Sequence, residues 1–265
     1  MKKGVAMRYR AMLGVAILYL FGLSPLALGA GQDDVPAIDP EADKLLRHAA
    51  AYLQNAKQFT YHIEATFDDI PSSGPRLQYA QSVDIAVRRP DRFRVVTQDD
   101  FDTQQSFWYD GKTFTLFNQQ LNYYATTQAP ATIDATLNTL LDRFDISAPL
   151  SDLLYNDPAL PLLEGVEAGR YIGVHRVHGV RCHHLVFVQE DVDWQVWIDA
   201  GETPVPRKVV MTYKRVEGSP QYTALLSAWN FDPKLDDSGF TFSVPKGAEE
   251  IAFLPVENLI TPHQK

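Results

Sequence analysis

His175, His178, Cys182, His183 and His184 stand close together in the chain. Imidazole nitrogen and thiolate sulfur are the donors that suit zinc or copper. A hairpin near Gly179 would bring some of them together, but Cys182 and His184 point to one face of a strand and His183 to the other, so only part of the set can converge. A small buried cysteine beside surface histidines is the simpler reading, and no metal or cofactor is expected. Gly111-Lys112-Thr113 looks like the end of a phosphate-binding loop, yet Ser106 stands where that loop needs glycine and Lys112 follows a turn instead of opening a helix. His-Glu-x-x-His and Gly-x-Ser-x-Gly are both missing from the sequence, so the chain is read as a non-enzyme. Trp108, Trp194, Trp197 and Trp229 could stack a ligand, although aromatic residues in sheets more often pack across strands. Arg88, Arg89, Arg92 and Arg94 could bind an anion or pair with neighbouring carboxylates.

The elements that must position these residues follow from periodicity. Asp110-Gly111 between β-forming runs predicts a hairpin with a two-residue type I′ loop, Phe107 opposite Phe114 and Trp108 sharing the other face with Thr113. A second tight turn at Gln119-Gln120 would set Leu116 opposite Tyr123. One face of this meander then carries Phe107, Tyr109, Phe114, Leu116, Leu121 and Tyr123, and the other mostly Ser106, Thr113 and Thr115. Upstream, Leu45, Leu46, Ala49, Ala50, Leu53 and Ala56 recur at helical spacing after an Asp39 cap and Pro40. Tyr61, Ile63, Ala65 and Phe67 alternate with polar residues, and Leu77, Tyr79, Val83, Ile85 and Val87 repeat the pattern, so both segments read as half-buried strands. Phe93 and Val95 resume the ladder after Pro90.

Downstream, Ile133, Leu137, Leu140, Leu141 and Phe144 form a second amphipathic helix, with Asp134 near its positive end. Short helical or apolar pieces follow at 149–155 and 160–163. Strands return at 169–174, 180–189, 194–199, 207–216 and 222–231, and Phe240 to Val244 reads as an edge segment closed by Pro245. The fold class is α+β: one antiparallel sheet of about nine or ten strands, curled because wider open sheets rarely stay flat, with helices on one face.

Lys2, Lys3, Arg8 and Arg10, the apolar run from Ala11 to Leu23 and the small residues at 27–30 make a secretory signal peptide over residues 1–30. Residues 31–39 read as a disordered leader and 40–265 as a single domain. Removing the signal takes the formal net charge from −9 to −13, which argues against nucleic acid as a partner. The single Cys182 excludes an internal disulfide.

Arg89-Pro90-Asp91-Arg92-Phe93-Arg94, followed by Tyr109-Asp110-Gly111-Lys112-Thr113-Phe114 and Leu116-Phe117-Asn118, resembles the periplasmic lipoprotein-carrier (Lol-type) superfamily and, within it, an uncharacterised family of predicted periplasmic proteins. The resemblance implies an incomplete β-barrel with an α-helical lid over a hydrophobic cavity that takes acyl chains. Val95 departs from the aromatic residue often found there, and the segment from Thr132 to Glu167 and the C-terminal half are longer. On that fold the cavity candidates are Tyr61, Ile63, Phe67, Tyr79, Val83, Ile85, Phe93, Val95, Phe107, Tyr109, Phe114, Leu116 and Tyr123, and Arg89 stands at the mouth as a gate. The function expected is periplasmic binding of a lipid or lipidated chain, for carriage or sensing, by a soluble monomer. The alternative is a non-catalytic interaction or regulatory module on the same fold. A lipid or acylated protein is the expected partner, an envelope protein the second.

Overall fold

The computed structural model describes residues 37–255, all within one compact unit. The segment read as a signal peptide and residues 31–36 of the leader lie outside the described residues. Ile38 forms a parallel bridge to Gly169, and Gly169 leaves room for it: a Cβ there would lie 2.9 Å from the Phe187 ring and 3.0 Å from Ile38 Cγ2. Helix α1 (Pro40–Asn55) starts because the Asp39 carboxylate accepts the Glu41 N–H at 2.9 Å, Pro40 presets the first turn, and Glu41 and Asp43 sit at the positive end. Its buried residues, Ala42, Leu46, Ala49, Ala50 and Leu53, follow the helical spacing and face the sheet.

Among the described residues twelve strands make one sheet. The first half supplies β1 (Gln58–Asp69), β2 (Leu77–Arg88), β3 (Arg92–Asp99), β4 (Gln104–Tyr109), β5 (Thr113–Asn118) and β6 (Tyr123–Gln128). The second half supplies β7 (Val166–Val177), β8 (Val180–Gln189), β9 (Val192–Asp199), β10 (Pro206–Tyr213), β11 (Gln221–Asn230) and the two-residue β12 (Glu249–Glu250). The order is β12-β6-β5-β4-β3-β2-β1-β11-β10-β9-β8-β7: two meanders joined where β1 lies antiparallel to β11, with Ile63 opposite Leu226 and Ala65 opposite Ala224. Among the described strands only β12, alongside β6, is parallel. The sheet is wider than the nine or ten strands expected, and it stays open, with β7 and β12 at its edges. Between the halves lie α2 (Ile133–Phe144), a 3₁₀ turn (Ser151–Leu154) and α3 (Ala159–Leu163).

Two turns differ from the sequence expectation. Tyr109 pairs with Phe114, Trp108 with Thr115 and Phe107 with Leu116. The cause is the Asp110 carboxylate, which accepts the N–H groups of Lys112 and Thr113 at 2.9 and 2.7 Å and so flanks the loop instead of lying within it. Gly111 then takes the first central position with φ at 83°, the sign pattern of a type II′ turn. A Cβ at Gly111 would run into the Arg92 guanidinium. At the next turn Asn118 Oδ1 caps the Leu121 N–H at 2.9 Å, the loop lengthens, and Leu116 pairs with Ala125, not with Tyr123. Each change moves the register by two, so the side-chain faces survive. Leu121 and Tyr123, however, finish 64% and 38% exposed at the sheet edge.

The polar face expected for this meander is covered. Phe242 packs on Trp108, Phe117 and Tyr124, with centroids 5.0, 5.7 and 5.3 Å apart, and Ser106 and Thr115 beneath are buried. The segment read as an edge strand at 240–244 is therefore a strap: a 3₁₀ turn at Asp237–Phe240, then irregular chain across the outer face. It wraps the β6 edge, where the Ile251 N–H reaches the Tyr124 carbonyl at 2.8 Å. On the concave side Phe253 meets Phe114 and Phe144, with centroids 5.9 and 5.3 Å away.

On the outer face of β1 and β2, His62 lies between Glu64 and Asp84, its ring nitrogens 2.8 and 2.7 Å from their oxygens. The hydrogen bonds to Glu64 and then Asp84 raise the imidazole pKa above its usual value. A raised folded-state pKa gives stability that is fully present below the unfolded value, about 6.5, and lost as pH rises through the folded value. His62→Gln should thus lower the melting temperature at mildly acidic pH and leave it unchanged at alkaline pH. The difference should stay within about 1 kcal/mol because the site is partly exposed.

Candidate functional site

The alternation read from both halves of the chain converges on one concave face. From the first half, Tyr61, Ile63, Val83, Ile85, Phe93, Tyr109 and Phe114 are buried there, and Phe67, Val95 and Phe107 pack half-buried around them, with the half-buried Leu116 paired to Phe107. Tyr79 lies toward the far end, 5.9 Å from Phe67 and 5.8 Å from Phe101, itself 68% exposed. Leu185, Phe187, Trp194, Val196, Ile198 and Val209 continue the apolar face from the second half. Helix α1, the 3₁₀ turn and α3 cover that part, and α2 with Phe253 covers the other. An apolar cavity of about 30 Å³ remains beneath α1, lined by Leu46, Leu53, Leu150, Leu153, Trp194, Val196, Ile198, Val209 and Met211 among others. That is room for about one or two waters in a lining with nothing to bind them.

The cover is fastened at the step between β2 and β3. Arg89 Nη1 donates to the Leu154 carbonyl at 2.8 Å, at the end of the 3₁₀ turn. The Pro90 carbonyl accepts the N–H of Ile133, the first residue of α2, at 2.9 Å. Tyr109 OH reaches the Pro130 carbonyl at 2.5 Å and Thr136 Oγ1 the same oxygen at 3.3 Å. The Arg89 guanidinium also lies 5.6 Å from the Phe59 ring centroid. Its Nε and Nη2 are buried without a hydrogen-bond partner among the described residues. Burial lowers its pKa from the usual arginine value, with Asp134 and Tyr61 acting in the opposite sense. One hydrogen bond on a largely desolvated cation is a contact that can be released without breaking a network.

Beside Arg89 the C-terminal end of α1 opens onto a groove of about 770 Å³, lined by Tyr52, Asn55, Ala56, Lys57, Gln58, Arg88, Arg89 and Phe231. Arg88 bonds the Leu235 carbonyl at 3.2 Å and pairs with Asp237. Arg92, by contrast, binds the Asp91 carbonyl and carboxylate at the hairpin corner, 2.9 and 2.8 Å away, and Arg94 stacks on Trp108 on the outer face.

The histidine and cysteine residues do not make one centre. Cys182 and His184 share the outer face of β8, where His184 lies 3.0 Å from both His175 and Gln195 and stacks on Trp197. His183 faces the concave side and meets the Tyr171 hydroxyl at 3.0 Å. His178 occupies the β7–β8 turn with φ at 46°. Among the described residues no group of three metal-binding side chains converges. Burial, with His175 and Lys208 nearby, holds the His184 pKa down against the Gln195 hydrogen bond. The Cys182 thiol is fully buried, and burial, then Asp199, raises its pKa, which makes it unreactive. Cys182→Ser should leave binding of an apolar probe unchanged, measured by fluorescence titration; loss of binding in a folded variant would assign the thiol a role at the site.

The sequence reading placed its site candidates in the first half, and none of them lines the 30 Å³ cavity. The signal for the missed residues was present: Trp194, Val196 and Ile198 alternate as cleanly as Tyr61, Ile63 and Ala65. What was missing was the β1–β11 pairing that makes both series one surface.

The model of a family described as "Predicted periplasmic protein (DUF2092)" matches residues 42–254. Among curated proteins none matches the sequence. Similar solved structures include an uncharacterized conserved protein from Thermus thermophilus, 10% identical with a TM-score of 0.48, the match covering 80% of this chain and 99% of that one. The Mycobacterium tuberculosis lipoprotein LppX is 15% identical with a TM-score of 0.45, covering 75% and 100%. A LolA superfamily protein from Nitrosomonas europaea is 10% identical with a TM-score of 0.40, covering 76% and 97%.

Proposed function

The chain belongs to the DUF2092 family of predicted periplasmic proteins, and from that premise we propose that it is a non-catalytic periplasmic protein that binds a lipid or lipidated chain under its helical cover, for carriage or sensing. The observation that carries this reading is the construction of the concave face. It is apolar across both meanders, and what covers it is a set of helical pieces, not a second sheet, with the 3₁₀ turn fastened at Arg89 and α2 at Pro90. The 30 Å³ cavity is far smaller than an acyl chain, so binding requires the cover to lift. Burying chain contributes about 0.8 kcal/mol per CH₂, so a few methylenes offset release of the Arg89 contact, about 1.5 to 3 kcal/mol. In this reading Arg89 is the gate and the concave residues are the lining.

The closed core favours a second reading, in which the helices permanently fill the concave face and a surface recognises a partner protein in the envelope. Native mass spectrometry of the protein purified from periplasm separates the two. A lipid that copurifies and is lost on delipidation supports the first reading. A ligand-free protein that also takes up no fluorescent fatty acid supports the second.

A further inference from the structure

We propose that the groove at the C-terminal end of α1 is a headgroup subsite that selects anionic amphiphiles, its cations Lys57, Arg88 and Arg89 holding a carboxylate or phosphate while the apolar chain passes inward along Phe231 and Phe59. The proposal rests on the lipid-binding reading and specifies its ligand class.

Charge is the first observation. The chain as a whole carries a formal net charge of −9, yet three basic residues and no acidic one line this groove. Asp237 pairs with Arg88 from outside it. Lys57 is exposed and without an ion-pair partner among the described residues. Among the described residues the Arg89 guanidinium makes one hydrogen bond and has two further donor nitrogens, both buried, without one. Asn55 and Gln58 are polar lining residues, although Gln58 Nε2 is already given to the Pro233 carbonyl at 2.8 Å.

The second observation is where the groove leads. Tyr52 and Phe231 meet edge to face at its wall, 5.0 Å apart. Phe231 lies 6.0 Å from Phe59, and Phe59 lies 6.1 Å from both Tyr61 and Trp229, which stack on each other at 4.3 Å. An unbroken run of rings therefore joins the solvent-exposed groove to the buried concave core, and Arg89 lies over the Phe59 ring at the junction. The order is that of an amphiphile: charge at the mouth, apolar surface behind it. The negative field of the whole chain repels small free anions, so the local cations act on an anion already held by its chain.

A pair of probes with the same chain tests this on the full mature protein: parinaric acid, ionised at neutral pH, and its uncharged methyl ester, each titrated by fluorescence. The acid should bind at least about tenfold more tightly than the ester, the worth of one charge-assisted hydrogen bond, and added salt should narrow the gap. Lys57→Glu, a change at an exposed side chain, should bring the acid close to the ester and leave the ester unchanged. Equal affinities in the wild type, or equal weakening of both probes by Lys57→Glu, would overturn the headgroup subsite while leaving the lipid-binding reading intact. Binding of neither probe would remove that reading and the subsite with it. Displacement of the acid by millimolar inorganic phosphate would reassign the groove to a free anion and overturn the proposal.

Discussion

Phe59→Ala should destabilise the protein by about 3 to 5 kcal/mol, the cost of truncating a fully buried phenylalanine. Phe59 is 0% exposed and lies where three parts of the fold meet. Its ring neighbours Tyr61 on the same strand, Trp229 on β11 and Phe231 beyond it, at 6.1, 6.1 and 6.0 Å, and Arg89 lies over it at 5.6 Å. Its β2 partner, Val87, is also fully buried. Truncation removes the transfer contribution of the ring and leaves a void on the concave face among Tyr61, Trp229 and Phe231, whose strands are held in place by the ladder and relax only in part. For a domain of this size the loss corresponds to a fall in melting temperature of roughly 10 °C. Phe101→Ala, at a loop tip 68% exposed, should shift it by less than about 0.5 kcal/mol. Thermal unfolding followed by tryptophan fluorescence reads both. A loss below about 1.5 kcal/mol for Phe59→Ala would mean that the seam between the two meanders collapses around the missing ring, contrary to the packing described.

Arg89→Leu should keep the fold and speed the exchange of a bound fluorescent acyl probe by about tenfold or more. The guanidinium makes a hydrogen bond to the Leu154 carbonyl at 2.8 Å, and its two other donor nitrogens are buried without partners. Removing it loses a charge-assisted contact of about 1.5 to 3 kcal/mol from the closed cover. Removing it also relieves a desolvated charge, so global stability changes little. With an uncharged acyl probe, which the groove cations do not hold by charge, the whole effect then falls on the balance between closed and lifted covers, and a shift of that size changes the populations by tenfold or more. Arg92→Leu is the control, because Arg92 binds Asp91 at the hairpin corner and is not bonded to the cover. Stopped-flow displacement of the probe measures all three proteins. Identical rates would end the gating role while leaving the concave face available to a ligand by another opening.

Helix α1 was legible in the sequence down to its cap, because the Asp39 and Pro40 signals and the spacing of Leu46, Ala49, Ala50 and Leu53 all act within a few residues. The concave face was legible for the same reason: a strand's side-chain period is set by its own backbone. Parity also protected the meander, since turns misread at Gly111 and Asn118 shifted the pairing by two and left Phe107, Tyr109, Phe114 and Leu116 together. The turns themselves were misread because the side-chain caps of Asp110 and Asn118 compete with the backbone pattern of a tight loop.

Alone, the sequence determined the helices, the alternating strands, which side of each strand is apolar, and the acidic balance of the chain. The tertiary structure decided which strands meet. The β1–β11 seam joins residues far apart in the chain, and nothing in either segment's periodicity names its partner. The seam forms because it merges two apolar faces that neither meander could bury alone. Tertiary packing likewise laid Phe242 across Trp108, Phe117 and Tyr124 on a face that alternation had marked as polar, set Arg89 against the Leu154 carbonyl, and gathered Lys57, Arg88 and Arg89 around one groove. Each is a contact between distant segments, fixed by the burial of apolar surface once the sheet has curled.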